Sequence, residues 1–265
     1  MRCDARYSGS GQTGTVDAAT TACGPPQGWF LVSTLVFVAA EPRELAGVLR
    51  HSKNLCRLPW PVDFARQGVV AGKRSILVAN GPGPALAARA VDVAVRSGEA
   101  GVLISTGFCG GLDPGLREGD IVVATEVMDL ESGAAYRAVT PRTTRRYSRG
   151  RVLSQDRVAW TAGEKRRLRD QGGDVVEMEA AAVARQASRL GLPFACVRIV
   201  SDAAGEGLPV DLNSLRAGDG RFSRFRVLMA AVKSPVRVLP GLLRLQRRGR
   251  RIALVLGDFL AACEF

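Results

Sequence analysis

The chain of 265 residues suits one large α/β domain or two small ones, and a domain of that size buries enough surface to need no disulfide staples. Apolar residues at 46%, charged residues at 23% and a net charge of +12 describe a globular protein with a basic bias. No apolar run reaches the ~18 residues of a membrane span, the single histidine excludes a histidine-built metal centre, and the scattered cysteines contain no C-x-x-C pair for zinc or redox chemistry.

Residues 1–29, rich in Gly, Ser, Thr and Ala, read as a disordered N-terminal extension, and residues 30–265 as one domain. Leu31–Val38 is β-branched and apolar throughout, which predicts a strand buried on both faces. It lies too far from the start for a signal peptide, and the scattered cysteines fit a reducing cytoplasm. Glu41–Arg50 has helical composition, with Pro42 suited to a first turn. His51, among Ser52, Lys53 and Asn54, reads as a surface residue. Gln67–Ala71 and Arg74–Ala79 predict two strands around a Gly72-Lys73 turn. Ala85–Arg96 predicts a helix, and Gly101–Thr106 and Ile121–Ala124 predict buried strands. Residues 129–151 are polar and Arg-rich and read as irregular. Val175–Met178, the helix Glu179–Leu190 closed by Gly191, and the strand Phe194–Ser201 follow. Residues 203–220 read as loop, then helices at about 222–233 and 236–263. Strands alternating with helices predict a three-layer αβα sandwich around a twisted, mixed, mostly parallel sheet.

Three segments put polar residues or glycines beside the end of a buried strand, where open α/β sheets build their sites. Ser105-Thr106-Gly107-Phe108-Cys109-Gly110-Gly111 lets the backbone come close to a ligand. By itself it is equally a tight turn. Val176-Glu177-Met178-Glu179-Ala180 sets two carboxylates two residues apart among apolar neighbours. Buried carboxylates need partners, and a ribose diol offers two hydroxyl donors. Arg198-Ile199-Val200-Ser201-Asp202-Ala203 ends on an aspartate that is, read alone, either a site residue or a helix cap.

In this order and spacing, the segments Thr106-Gly107-x-x-Gly110-Gly111-Leu112, Gly119-Asp120-Ile121-Val122-Val123, Val176-Glu177-Met178-Glu179-Ala180 and Arg198-x-x-Ser201-Asp202 resemble the nucleoside phosphorylase superfamily. That family includes purine nucleoside phosphorylases, uridine phosphorylases and methylthioadenosine/adenosylhomocysteine nucleosidases. The resemblance implies cleavage of the N-glycosidic bond of a purine nucleoside or nucleoside-like conjugate, without a cofactor. Asp202 matches the general acid that protonates the leaving base, and burial is expected to favour its protonated form. Glu179 matches the glutamate that grips the ribose hydroxyls, Met178 the methionine packed on the sugar, and Glu177 a second site glutamate. Glu44 matches the water-activating glutamate of the nucleosidases; read from its neighbours it is also a solvated helix residue. Ser201, Gly107, Phe108 and Val158 fall at substrate-binding positions.

Two departures bear on the reaction. Phe108 stands where the family commonly has a serine or threonine touching the nucleophile, and Ser105 stands where base-specific phosphorylases have an arginine. Arg43 either replaces that arginine in part or faces solvent. Hydrolysis therefore leads. Phosphorolysis, with phosphate as co-substrate, is the alternative implied by a second resemblance. The stretches Leu208-Pro209-Val210-Asp211-Leu212-Asn213 and Gly220-Arg221-Phe222-Ser223 look like a bacterial phosphorylase subgroup linked to hopanoid lipid synthesis, whose substrate would be an adenosyl-lipid. Val158 aligns with the aromatic that stacks on the base in the nucleosidases, and Trp160 is the nearest ring in sequence. A non-catalytic nucleoside-binding protein is the reading of another class, and the retained carboxylates argue against it.

Between Arg216 and Arg251 ten arginines and one lysine face a single acid, Asp219. One reading is apolar stripes packed on the core with the cations in water. The other is peripheral contact with an anionic membrane. The tail lacks the interleaved aromatics and recognition motifs of a specific nucleic-acid binder. The family implies a homo-oligomer, a dimer or larger.

Overall fold

The computed structural model describes residues 34–208, 211–215, 217 and 235–265. The expected extension at 1–29 and helix at 222–233 lie outside these residues.

Among the described residues ten strands form one mixed sheet: β1 (Thr34–Ala39), β2 (Lys53–Arg57), β3 (Phe64–Val70), β4 (Lys73–Ala79), β5 (Ala100–Gly111), β6 (Ile121–Asp129), β7 (Ala135–Arg137), β8 (Ser148–Ser154), β9 (Val175–Glu177) and β10 (Phe194–Asp202). The helices among these residues are α1 (Ala46–His51), α2 (Pro84–Val95), α3 (Ala162–Asp170), α4 (Ala180–Leu190) and α5 (Pro235–Leu260). A 3-10 turn, Pro42–Leu45, leads into α1. The strands run in the order β10-β6-β8-β9-β5-β1-β4-β3-β2, and β10 also pairs with β5. The sheet thus closes on itself at one end and stays open at the other.

Strand β1 is parallel to both β4 and β5, and all six of its residues are buried. Its side chains alternate between two cores, as a strand covered on both faces must. Val36 and Val38 pack with α2 and α4, through Ala87, Val91 and Val183. Leu35 and Phe37 pack with Val48 of α1 and Ile252, Leu256 and Phe259 of α5. This gives the expected three layers.

Helix α5 lies hard against α1. A side chain at Gly257 would fall 2.0 Å from the Gly47 carbonyl carbon, and one at Gly47 would fall 2.3 Å from the Ala253 carbonyl oxygen. The two glycines permit this close crossing, which brings Gly249 and Ile252 of α5 to the edge of the cleft.

Some segments differ from their sequence reading. The Gly107–Gly111 stretch continues β5 instead of leaving it. Residues 129–151, expected to be irregular, contain β7 and the start of β8, whose outer residues are exposed and so carry no apolar alternation. The edge strand β2 is polar for the same reason. The helix expected from Glu41 begins instead as the 3-10 turn, with Glu44 turned inward. His51 is exposed, as expected, and its Nε2 lies 2.7 Å from Asp258 Oδ1.

Candidate active site

A cleft of about 410 Å³ opens over the ends of β5, β9 and β10, lined by Glu44, Phe108, Val158, Glu177, Met178, Glu179, Ser201 and Asp202. Segments far apart in the chain therefore converge as the sequence predicts. Gly107 is the exception among the expected residues: it lies behind the wall, pressed against Glu44 and Arg198. Its φ is +143°, and a Cβ added there would fall 2.6 Å from Glu44 Oε1. Both features reserve the position for glycine.

The cleft floor is organised by Arg198, which sequence reading left without a role. Its side chain is fully buried in the middle of β10. Nη2 donates to Ser105 Oγ at 2.6 Å and pairs with Glu177 Oε2. Nη1 stands 3.7 Å from Glu179 Oε2, and neither Nη1 nor Nε has a hydrogen-bond partner. A signal was present: an arginine inside the apolar run Phe194–Val200 has to find buried counter-charge.

Glu177 is saturated. Besides Arg198, its oxygens accept from the N–H groups of Glu179 at 2.8 Å and Ala180 at 2.9 Å. These are orphan donors of the first turn of α4, and a carboxylate there satisfies them and suits the helix dipole. Glu177 therefore builds the site. Glu179 keeps acceptor capacity: Oε1 accepts from Gly83 N–H at 2.9 Å, and Oε2 has only the distant Arg198. Burial and the neighbouring Glu177 raise its carboxyl to about 8, against the pull of Arg198.

Glu44 is not a solvated helix residue. It is buried, and its two oxygens accept from the N–H groups of Phe108 at 2.9 Å and Glu41 at 2.8 Å. Burial raises its carboxyl above the ordinary range in spite of those bonds. Phe108 thus serves Glu44 through its backbone, while its ring lies beside Gly249 of α5. Arg43 lies at the cleft with its Nε 2.5 Å from Glu41 Oε2 and its side chain 54% exposed.

Asp202 ends β10 and is buried. Its Oδ1 lies 2.5 Å from Ser201 Oγ, and its Oδ2 pairs with Lys165 of α3. Sequence predicts burial at Asp202, and the structure adds a buried cation beside it. Lys165 sits in the basic run Glu164–Arg169 and looks locally like its solvated neighbours. Val158 is clamped by Asn213: its N–H donates to Asn213 Oδ1 at 2.7 Å, and its carbonyl accepts from Asn213 Nδ2 at 2.9 Å. Phe108 is the aromatic ring that lines the cleft among the described residues; Trp160 does not.

The model of the phosphorylase superfamily matches residues 34–143 and 130–219. The chain belongs to the phosphorylase superfamily. Among its relatives, the 5′-methylthioadenosine/S-adenosylhomocysteine nucleosidase of Actinobacillus succinogenes is 31% identical over 202 residues, covering 65% of this chain and 86% of the relative. The corresponding nucleosidase of Anoxybacillus flavithermus is 30% identical over 168 residues, covering 52% and 72%. Among solved structures, the Streptococcus pneumoniae 5′-methylthioadenosine/S-adenosylhomocysteine nucleosidase with a transition-state inhibitor has a TM-score of 0.62 at 19% identity, covering 86% of this chain and 99% of that one. Futalosine hydrolase of Helicobacter pylori has a TM-score of 0.65 at 16% identity, covering 87% and 97%. These structures share the fold, and the family membership makes the chain an N-ribosyl hydrolase or phosphorylase.

Proposed function

We propose that this protein hydrolyses the N-glycosidic bond of a purine nucleoside or nucleoside-like conjugate, and the observation that carries the choice of hydrolysis is the ring of acids around Arg198. Glu44, Glu177 and Glu179 all act on that one guanidinium, and the serine that replaces a phosphate-binding arginine, Ser105, is bonded to it. A phosphate dianion entering such a set meets a single guanidinium that is already shared among three carboxyl groups. A water molecule meets a base, Glu44, raised toward the working pH. The named relatives are nucleosidases, which agrees with this choice.

In the reaction, a proton from Asp202 passes to a ring nitrogen of the base as the bond from C1′ to the base breaks. The bonding electron pair leaves with the base, which departs neutral. Glu44 takes a proton from water as the water oxygen bonds to C1′. Glu179 accepts from the ribose hydroxyls and places negative charge near a ribosyl group that becomes cationic. Met178, with 9% of its surface exposed at the cleft, packs on the sugar. Ser201, Phe108 and Val158 complete the walls, Gly107 gives Glu44 its room, and the reaction uses no cofactor.

The test is turnover of adenosine-type nucleosides by Asp202→Asn and Glu44→Gln. Each should lose at least ~10² in kcat with the fold intact. Near-normal turnover by either folded variant removes that residue from the mechanism.

A further inference from the structure

From the surroundings of Asp202 we infer that Lys165 is a positioning residue which withdraws Oδ2 of Asp202 from the reaction and leaves Oδ1, with the Ser201 hydroxyl, as the oxygen that exchanges a proton with the base. The inference rests on the reading of Asp202 as the group facing the base.

Lys165 is wholly buried yet is not part of the cleft wall; it stands behind Asp202. An ammonium has three donors, and the three oxygens in reach of this one belong to two adjacent residues. They are Asp202 Oδ2, the Ala203 carbonyl at 2.7 Å and the Asp202 carbonyl at 3.4 Å. The lysine therefore fixes both the carboxylate and the chain where it leaves β10. Its own position is set by the start of α3, where Thr161 Oγ accepts from Glu164 N–H at 3.1 Å and Glu164 Oε2 accepts from Thr161 N–H at 3.2 Å. Gly110 supplies the space: a side chain there would come within 3.3 Å of Asp202 Oδ2 and 3.6 Å of Lys165 Cε.

The other oxygen is arranged for a proton that comes and goes. Ser201 Oγ lies 2.5 Å from Asp202 Oδ1 and 3.0 Å from the Cys109 carbonyl. A hydroxyl has one hydrogen to donate and also accepts. With Asp202 ionised, Ser201 donates to Oδ1. With a proton on Oδ1, Ser201 accepts it and turns its own hydrogen to the Cys109 carbonyl. Both protonation states are satisfied without movement of heavy atoms.

Among the described residues, the other ionisable groups facing the pair are Cys109 of β5, Arg248 of α5 and Glu206. Burial pushes the Cys109 thiol well above its ordinary range. Arg248 is bonded to Glu206 at 3.2 Å and to the Ser201 carbonyl at 3.0 Å. Arg248 acts on Asp202 only through space, whereas Lys165 touches the carboxylate itself.

The experiment compares kcat against pH for the wild type, Asp202→Asn and Lys165→Met. Removing a cation beside a buried carboxyl favours its neutral form. The limb of the profile that Asp202→Asn abolishes should therefore move to higher pH in Lys165→Met by at least about one unit, with KM changed less than about threefold. Lys165→Arg, which keeps the charge, should hold the limb near its wild-type position. A folded Lys165→Met with an unmoved limb overturns the inference. A second measurement covers the case in which Lys165→Met folds poorly. In the Asp202→Asn background the same substitution removes no ion pair, so it should lower the melting temperature less than it does in wild type. Equal losses in both backgrounds overturn the pairing. Normal turnover by Asp202→Asn is a different failure, that of the reading of Asp202 itself.

Discussion

Replacing Arg198 by Met should destabilise the protein severely, and more at high pH than at low. The guanidinium is fully buried and carries the counter-charge for Glu177, Glu179 and Glu44. Methionine fills much of the volume, so the loss is mainly electrostatic. Removing one partner of a buried ion pair costs about 3–5 kcal/mol. Glu177 keeps the bonds from Glu179 and Ala180 N–H, which places the expected loss inside that range rather than above it. For a domain of this size each kcal/mol lowers Tm by about 2–4 °C, so Tm should fall by roughly 10 °C. The pH dependence follows from the acids left behind. Glu179, already raised to about 8, and Glu44, also raised, take up protons as pH falls. Once neutral they no longer need the cation. The loss should shrink from pH 8 toward pH 5, whereas a loss caused by misfit packing is independent of pH. Thermal unfolding of both proteins across that range is the assay. A loss below about 1 kcal/mol at pH 8, or one that does not change with pH, refutes the account of Arg198 as shared counter-charge.

Gly107→Ala combines a φ of +143° with a contact of 2.6 Å to Glu44 Oε1, so it should lower both Tm and kcat by displacing the Glu44 carboxylate, with strain of about 1–3 kcal/mol; unchanged kinetics would separate Glu44 from its glycine seat. Glu179→Gln should reduce the preference for ribo- over 2′-deoxyribonucleosides, read as the ratio of kcat/KM, because a carboxylate accepting from the diol loses a partner when one hydroxyl is missing. In the wild type the Glu179 carboxyl of the empty site holds a proton below about pH 8, and a diol favours its ionised form. Binding therefore releases a proton, and KM should fall as pH rises from 6 to 8 and level off above; a KM flat over that interval contradicts it. Arg244, Arg247 and Arg250 of α5 are exposed at intervals of three residues, so co-sedimentation with liposomes should rise with anionic lipid and vanish in salt; no binding at low salt leaves them as a solvated face.

The legible parts of the site are those whose signal is local. Val36 and Phe37 are apolar side by side because β1 is covered on both faces. Glu177 and Glu179 stand out because carboxylates among Val176 and Ala180 have to be partnered. The burial of Arg198 is legible from the apolar run around it but its partners are not, and Lys165 gives no signal at all, because the counter-charges arrive from other segments: Glu177 is 21 residues from Arg198, and Asp202 is 37 residues from Lys165. The run of cations Arg247, Arg248, Arg250 and Arg251 was misleading as a block. Arg248 and Arg251 are tied to Glu118, and the apolar stripe Ile252, Leu256, Phe259 and Leu260 packs on the core. Charge pattern along the helix does not show that Arg248 is partly buried while Arg251 stays exposed. No helix among the described residues is long and apolar enough to cross a membrane.

The central claim, hydrolysis of the bond between base and ribose, is tested most directly by the sugar product. The protein is incubated with adenosine-type nucleosides in ¹⁸O-labelled water, with and without phosphate, and the sugar is identified by mass spectrometry. Free pentose carrying ¹⁸O at C1, formed at a rate that phosphate does not change, is the predicted result. Pentose 1-phosphate as product, with no base released when phosphate is omitted, contradicts it.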